Sequence, residues 1–211
     1  MNRRILILLS LITSLMLLSA CSRSQVVKPV SKPTVQTSSK EASWKMRQQA
    51  LARKPAWKLF SKIALRYRAD HWNFGLNWMQ KALNNYQMQI KNPLTGAIIA
   101  KLDKTPQGVS LLSGDGKVYR DTDEERLLQR QSGVKLPLKG MQYWARGLVS
   151  PQYKLDKLLL DVQGRPKTIY QAGWKINYLR YLNNRFDAMP TKVVITRDKD
   201  NVYLKMIAKS W

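Results

Sequence analysis

The chain has 211 residues, and its 37 Lys and Arg against 13 Asp and Glu give a formal net charge of +24 at pH 7. A single Cys and a single His exclude a disulfide framework within the chain and a zinc site built on several of either. So basic a chain points to an anionic partner or surface, with general solubility as the alternative.

Arg3 and Arg4 open the chain, and an apolar run from Ile5 to Leu18 follows, broken only by Ser10, Thr13 and Ser14. This is the pattern of a secretory signal, too short for a span of roughly 20 residues. The run closes on Leu18-Ser19-Ala20-Cys21, which resembles the bacterial lipobox. There the Cys thiol takes a diacylglycerol, and cleavage frees its amine for a third acyl chain. Residues 1–20 are therefore expected to be a signal peptide that is removed, with Cys21 carrying lipid. An ordinary signal with an incidental Cys is the other reading. Each buried CH₂ contributes about 0.8 kcal/mol, so three chains hold far more firmly than one. Ser22 stands where an Asp would favour the inner membrane. It resembles the outer-membrane class, lipid-anchored and facing the periplasm.

From Cys21 to Lys40 the chain is rich in Ser, Thr, Val, Pro and Lys and carries no acidic residue, which reads as a flexible tether. Residues 41–211 suit one domain. Losing Arg3 and Arg4 with the signal lowers the charge of +24 by two, to +22. In that compartment lipid headgroups, lipopolysaccharide or an acidic protein fit the charge better than nucleic acid, which is not an expected partner.

Glu41 to Arg53 is helix-compatible, and Pro55 ends it. Alternation then takes over. Trp57, Leu59, Ser61, Ile63, Leu65 and Tyr67 share one parity; Trp72, Phe74, Leu76 and Trp78 repeat it, as do Tyr86, Met88 and Ile90. Such period-two runs predict antiparallel strands. Ile98 to Leu102, Val109 to Leu112 and Val118 to Arg120 continue the meander, with a tight turn at Gly114-Asp115-Gly116. Thr122 with Glu125 resembles a capping box, and Gly133 stops the helix it opens. A second short helix is predicted over Leu138 to Arg146. Strands return from about Leu158, over Thr168 to Gln171, Trp174 to Tyr178, Lys192 to Arg197 and Val202 to Lys209. The fold class is mainly β with short helices (α+β), a large antiparallel sheet whose open side the helices could cover.

Catalytic constellations are not found. His71 stands alone in a turn-like stretch, and no Gly-x-Ser-x-Gly elbow accompanies it. Gly114-Asp115-Gly116-Lys117 lacks the spacing of a phosphate loop. Asp123-Glu124-Glu125 is explained by the helix dipole. The chain is expected to be no enzyme, with no metal and no cofactor. What it offers instead is seven Trp, nine Tyr and eight Met against three Phe, enough for a packed core or for a deformable apolar cavity. At Asn92-Pro93-Leu94-Thr95-Gly96 a Leu occupies the tip of a turn. It could fold back onto the sheet or dip into a membrane, where a buried Leu contributes roughly 1.5–3 kcal/mol.

Three segments resemble the LolB family of outer-membrane lipoprotein receptors. They are the Asn92 to Gly96 turn after a Tyr-bearing strand, Pro137-Leu138 through Trp144-Ala145-Arg146-Gly147-Leu148, and Gly173 to Tyr178 followed by Met189-Pro190. The lipobox and the closing Val202 to Trp211 strand agree in order, while Ser61 stands where the family often has Gly. The resemblance implies an incomplete antiparallel barrel with a helical lid over an apolar cavity. It implies a monomer that accepts acylated lipoprotein cargo from the periplasmic carrier LolA and inserts it among the outer-membrane lipids. Leu94, beside Pro93, would be the membrane-delivery residue. Trp78, Met141, Trp144, Trp174, Ile176 and Met206 are expected to contribute to the cavity. The competing reading is a basic lipoprotein that acts as a structural or assembly factor for another envelope component.

Overall fold

The computed structural model describes residues 34–211; the expected signal peptide, Cys21 and most of the expected tether lie outside them. The chain begins there with α1 (Thr34–Ala52). This helix starts seven residues before the expected Glu41, inside the stretch read as tether. Thr and Ser are weak helix formers, but no residue of Thr34–Ala52 is a Pro, and Pro33 lies just ahead of the helix.

Eleven strands follow: β1 (Trp57–Tyr67), β2 (Asp70–Ala82), β3 (Asn85–Lys91), β4 (Ile98–Thr105), β5 (Gly108–Ser113), β6 (Val118–Asp121), β7 (Leu155–Leu160), β8 (Pro166–Gln171), β9 (Trp174–Tyr181), β10 (Pro190–Arg197) and β11 (Val202–Ser210). They form one antiparallel sheet in the order β6-β5-β4-β3-β2-β1-β11-β10-β9-β8-β7. Two meanders are therefore joined by the pairing of β1 with β11, with Ile63 opposite Met206 and Leu65 opposite Leu204. The edges β6 and β7 do not pair with each other, so the sheet is open. Both edges are blunted, β6 by its four residues and β7 by irregular register at Leu155/Lys157 and Leu159/Leu160.

The predicted parity decides which face is buried. In β1 Leu59, Ser61, Ile63 and Leu65 point inward while Lys58, Phe60, Lys62 and Arg66 point out. Along the chain between the two meanders lie α2 (Glu124–Ser132) and α3 (Leu138–Trp144). The cap of α2 is Asp123 rather than Thr122: its carboxylate accepts from the Arg126 N–H at 2.9 Å, and Thr122 accepts from the Arg126 guanidinium instead. Gly133 closes α2 in the left-handed region at φ 73°, as expected. The second predicted helix ends at Trp144, two residues short of Arg146, in a turn that Gly147 completes at φ 69°. β7 begins at Leu155, before the expected Leu158. Trp72 has the inward parity but is 37% exposed, near the β1–β2 turn.

Candidate functional site

The inward side chains of β1 to β5 do not all close against one another. Between the sheet and the α2–α3 segment they leave an apolar cavity of about 70 Å³. Its sheet side is built from Phe74, Leu76, Met88, Ile90, Leu102 and Leu111, joined by Ile63, Ala100 and Leu204. Its cover is Leu128 of α2, Leu136 of the connection, and Leu138 and Met141 of α3. Every lining residue is apolar. A groove of about 450 Å³ adjoins the cavity, sharing Ile90, Ala100, Leu111 and Leu128 and continuing past Ile99 to the Gly114 turn. Because consecutive strands alternate in direction, that turn and the Asn92–Gly96 loop lie at the same end of the sheet.

Of the six residues expected to line the cavity, only Met141 does so. Trp78, Trp144, Trp174, Ile176 and Met206 are buried in the continuous core beside it. The reason is polar as well as apolar. Trp78 donates through Nε1 to Gln80 (2.9 Å) and sits between the rings of Trp57 and Tyr86. Trp144 donates to Gln171 (2.8 Å), and its carbonyl accepts from the Tyr178 hydroxyl (2.9 Å). Indoles held at their N–H are fixed core. The deformable wall is made by Leu, Ile, Met and Phe on the inward parity of β2 to β5, a signal the alternation carried and the weight given to Trp obscured.

The cover is held along its rim by ion pairs. Asp121 accepts from Arg126 and Arg130, Lys139 Nζ meets Asp123 at 2.7 Å, and the Lys139 N–H donates to Glu125 (3.1 Å). Arg126 holds the Asp121 carboxyl well below the usual carboxylate range. Burial works against the charge of Asp123, yet Lys139 and the Arg126 N–H keep it low. Glu125 goes the other way, lifted by burial. For Asp121 a depressed folded pKa means a contribution present above the ordinary carboxylate pKa of about 4 and lost as pH falls through the folded value. The Arg126 Nε–H resonance is thus expected to stay in its paired position from neutral pH down through mild acid. A transition near neutrality, or an unchanged spectrum in Asp121→Asn, would contradict this.

At the same end of the sheet as the groove, Asn92–Gly96 forms a fixed turn. The Asn92 carboxamide accepts from Leu94 N (2.9 Å) and Thr95 N (3.1 Å), and Gly96 N donates to the Asn92 carbonyl (3.0 Å) at φ 75°. The result presents Leu94 at 93% exposure, with Ile98 and Ile99 also exposed behind it. Pro93 lies beside it against the sheet. The side chain does not fold back, which closes one of the two readings of this loop. No helix among the described residues is long and apolar enough to cross a membrane.

Sequence reasoning missed a third feature. Arg47 of α1 is fully buried, donating to the carbonyls of Gly147 (3.1 Å), Phe186 (2.8 Å), Ala188 (2.8 Å) and Arg146. Arg146 returns the contact, donating to the Leu51 (2.6 Å) and Lys54 (2.9 Å) carbonyls at the end of α1. Burial pushes both guanidinium groups below their usual value. Among the described residues no three His, Cys, Asp or Glu side chains are placed to hold a metal.

Comparisons with known proteins bear on this arrangement. The family model described as "Outer membrane lipoprotein LolB" matches residues 55–211. The outer-membrane lipoprotein LolB of Alkalilimnicola ehrlichii is 31% identical over 196 residues, covering 93% of this chain and 92% of that one. Its namesake in Pseudomonas savastanoi is 30% identical over 86% of each chain. The solved structure of a LolA superfamily protein from Nitrosomonas europaea aligns at 11% identity with a TM-score of 0.48, over 77% of this chain and 91% of that one. With the family model spanning the whole sheet and relatives matching nearly end to end, the chain belongs to the LolB family of outer-membrane lipoproteins, lipid-anchored and facing the periplasm.

Proposed function

We propose that this protein receives mature lipoproteins from a LolA-like periplasmic carrier and inserts them into the outer membrane, itself tethered there through lipid on Cys21. The observation that carries this reading is the wholly apolar cavity beneath α2 and α3, with a groove leading from it towards the exposed Leu94. A ~16-carbon acyl chain in water costs on the order of 12 kcal/mol, so its transfer through the periplasm demands apolar cover at each step. The reading needs no bond made or broken and no nucleotide. Cargo moves downhill from a weaker-binding carrier to this receptor and on to the bilayer.

The cavity volume adds a mechanical requirement. An apolar cavity of about 150 Å³ holds a single benzene ring, so about 70 Å³ does not hold a whole acyl chain. The cover must therefore lift. Its two ends are held differently. The Trp144 end is tied by buried bonds to Gln171, Tyr178 and Arg47, whereas α2 is tied to Asp121 through Arg126 and Arg130, whose side chains are more than half exposed. Water can replace bonds from guanidinium groups that open to solvent, and it cannot reach the buried set. α2 with the connection to Leu138 is the part that gives way, acting as a lid on the open, incomplete barrel of the sheet.

The test is a hand-off. The mature chain carrying Cys21→Ala is mixed with a carrier loaded with triacylated lipoprotein, and pull-down reads where the cargo resides. Cargo is expected to change hands only when acylated. A folded chain that takes none from a cognate carrier sinks the receptor reading and leaves the assembly-factor role in its place.

A further inference from the structure

The charge of the chain is concentrated on one face. β1, β3, β8, β9, β10 and β11 contain no Asp or Glu at all. Register places their outward Lys in rows across the sheet. Lys91 lies opposite Gly75, Gly75 opposite Lys62, Lys62 opposite Ile207, and Ile207 opposite Lys192. In the next row Asn73 faces Ala64, Ala64 faces Lys205, and Lys205 faces Val194. Among the described residues none of Lys62, Lys91, Lys192 and Lys205 has an ion-pair partner.

Where the two rows meet the Leu94 loop, the small side chains of Ala64 and Asn73 leave a groove of about 260 Å³, walled by Lys62, Lys205, Ile207 and Pro93. Lys62 and Lys205 are diagonal neighbours on adjacent strands, roughly 7–8 Å apart at the backbone. Their long stems let both ammonium groups close on one phosphate. The loop that forms one wall is the loop that carries Leu94 at its tip.

We propose that this groove binds the phosphate of an anionic phospholipid in the membrane, docking the bilayer against the sheet face so that Leu94 enters it. Charge complementarity and continuity with the apolar tip select the occupant. A soluble acidic partner would account for the Lys rows but not for the exposed Leu beside them, whereas a bilayer offers phosphate and hydrocarbon at adjoining depths. The inference rests on the Leu94 loop meeting a membrane, as in the reading above.

The mature chain with Cys21→Ala, which binds without its own acyl anchor, is to be floated with vesicles of phosphatidylethanolamine, with and without phosphatidylglycerol. Lys62→Ala with Lys205→Ala is expected to lower partition into the anionic vesicles about thirtyfold and leave the weak binding to neutral vesicles unchanged. Lys157→Ala with Lys167→Ala removes equal charge from β7 and β8 of the same sheet. These strands lie four and three places from β11, about 14 Å or more from Lys205 and beyond the ~8 Å Debye length at physiological salt, so this pair is expected to change little. Equal losses from the two pairs, or none from the first, overturn the groove. So does displacement by inorganic phosphate beyond that by chloride at the same ionic strength, which would make it a free-anion site. The same variants are assayed for cargo hand-off from the carrier in solution. Hand-off lost by every form, with vesicle binding intact, removes the receptor reading and leaves this one standing.

Discussion

Leu94→Glu is expected to take up acylated cargo from the carrier as the parent does and to fail at putting it into a bilayer. In the receptor reading proposed above, uptake would use the cavity between β1–β5 and the helical cover, and Leu94 is no part of its wall. The turn is held by Asn92 and Gly96, whose bonds involve only the backbone of residue 94, so the substitution leaves the loop intact. Entry into hydrocarbon is a different matter. The side chain stands 93% exposed and has all of its apolar surface to gain. Burying a Leu contributes roughly 1.5–3 kcal/mol, which is a tenfold to hundredfold effect on membrane contact before the cost of placing a carboxylate there is added. Vesicle insertion should therefore fall at least about tenfold, with pull-down of cargo unchanged, and Leu94→Met should behave as the parent. Insertion at the parent rate by the Glu form would remove Leu94 from the delivery step.

How much of this could be read beforehand depends on where each signal is stored. Alternation is a local property, and β1 follows it from Trp57 to Tyr67 without error. The Leu94 turn was legible for the same reason, since Asn, Pro and Gly set its geometry within five residues. The α2 cap is harder to read because Thr122 and Asp123 are adjacent and both residue types can cap. What decides between them is Asp121, which draws Arg126 across Thr122 and leaves Asp123 facing the helix N–H groups. The cavity wall is hidden from the sequence for a tertiary reason. Trp78 and Trp144 look like lining material until Gln80 and Gln171 are seen to hold their indole N–H groups, and Gln171 is 27 residues from Trp144. Arg47 left no trace, because an Arg in a polar helix reads as solvated when its partners are backbone carbonyls some 100 residues away.

That Arg is where the largest loss of stability is expected. Arg47→Ala removes donors from the carbonyls of Arg146, Gly147, Phe186 and Ala188, in a site with no water-facing alternative for a fully buried side chain. An orphaned buried polar group costs about 1–3 kcal/mol, and several carbonyls lose their donor together here, so the loss should reach about 3–5 kcal/mol. At about 2–4 °C per kcal/mol for a domain of this size, the melting temperature should drop by about 6–20 °C. Arg47→Lys separates charge from geometry. One ammonium has three donors on a single atom, and it cannot span carbonyls that the planar guanidinium reaches from three nitrogens, so most of the loss should remain. Gly147 supports the same conclusion from the other side. It turns at φ 69°, and a Cβ there would lie 2.8 Å from an Arg47 guanidinium nitrogen, so Gly147→Ala should be destabilising through the same contact. A drop below about 2 °C in Arg47→Ala would mean that α1 is held by something else. If the clamp does hold, it fixes the Trp144 end of the cover to α1 and leaves the Asp121-tethered end as the one that opens. Cargo uptake in the Arg47 variant should then fall with the loss of its fold and not before it.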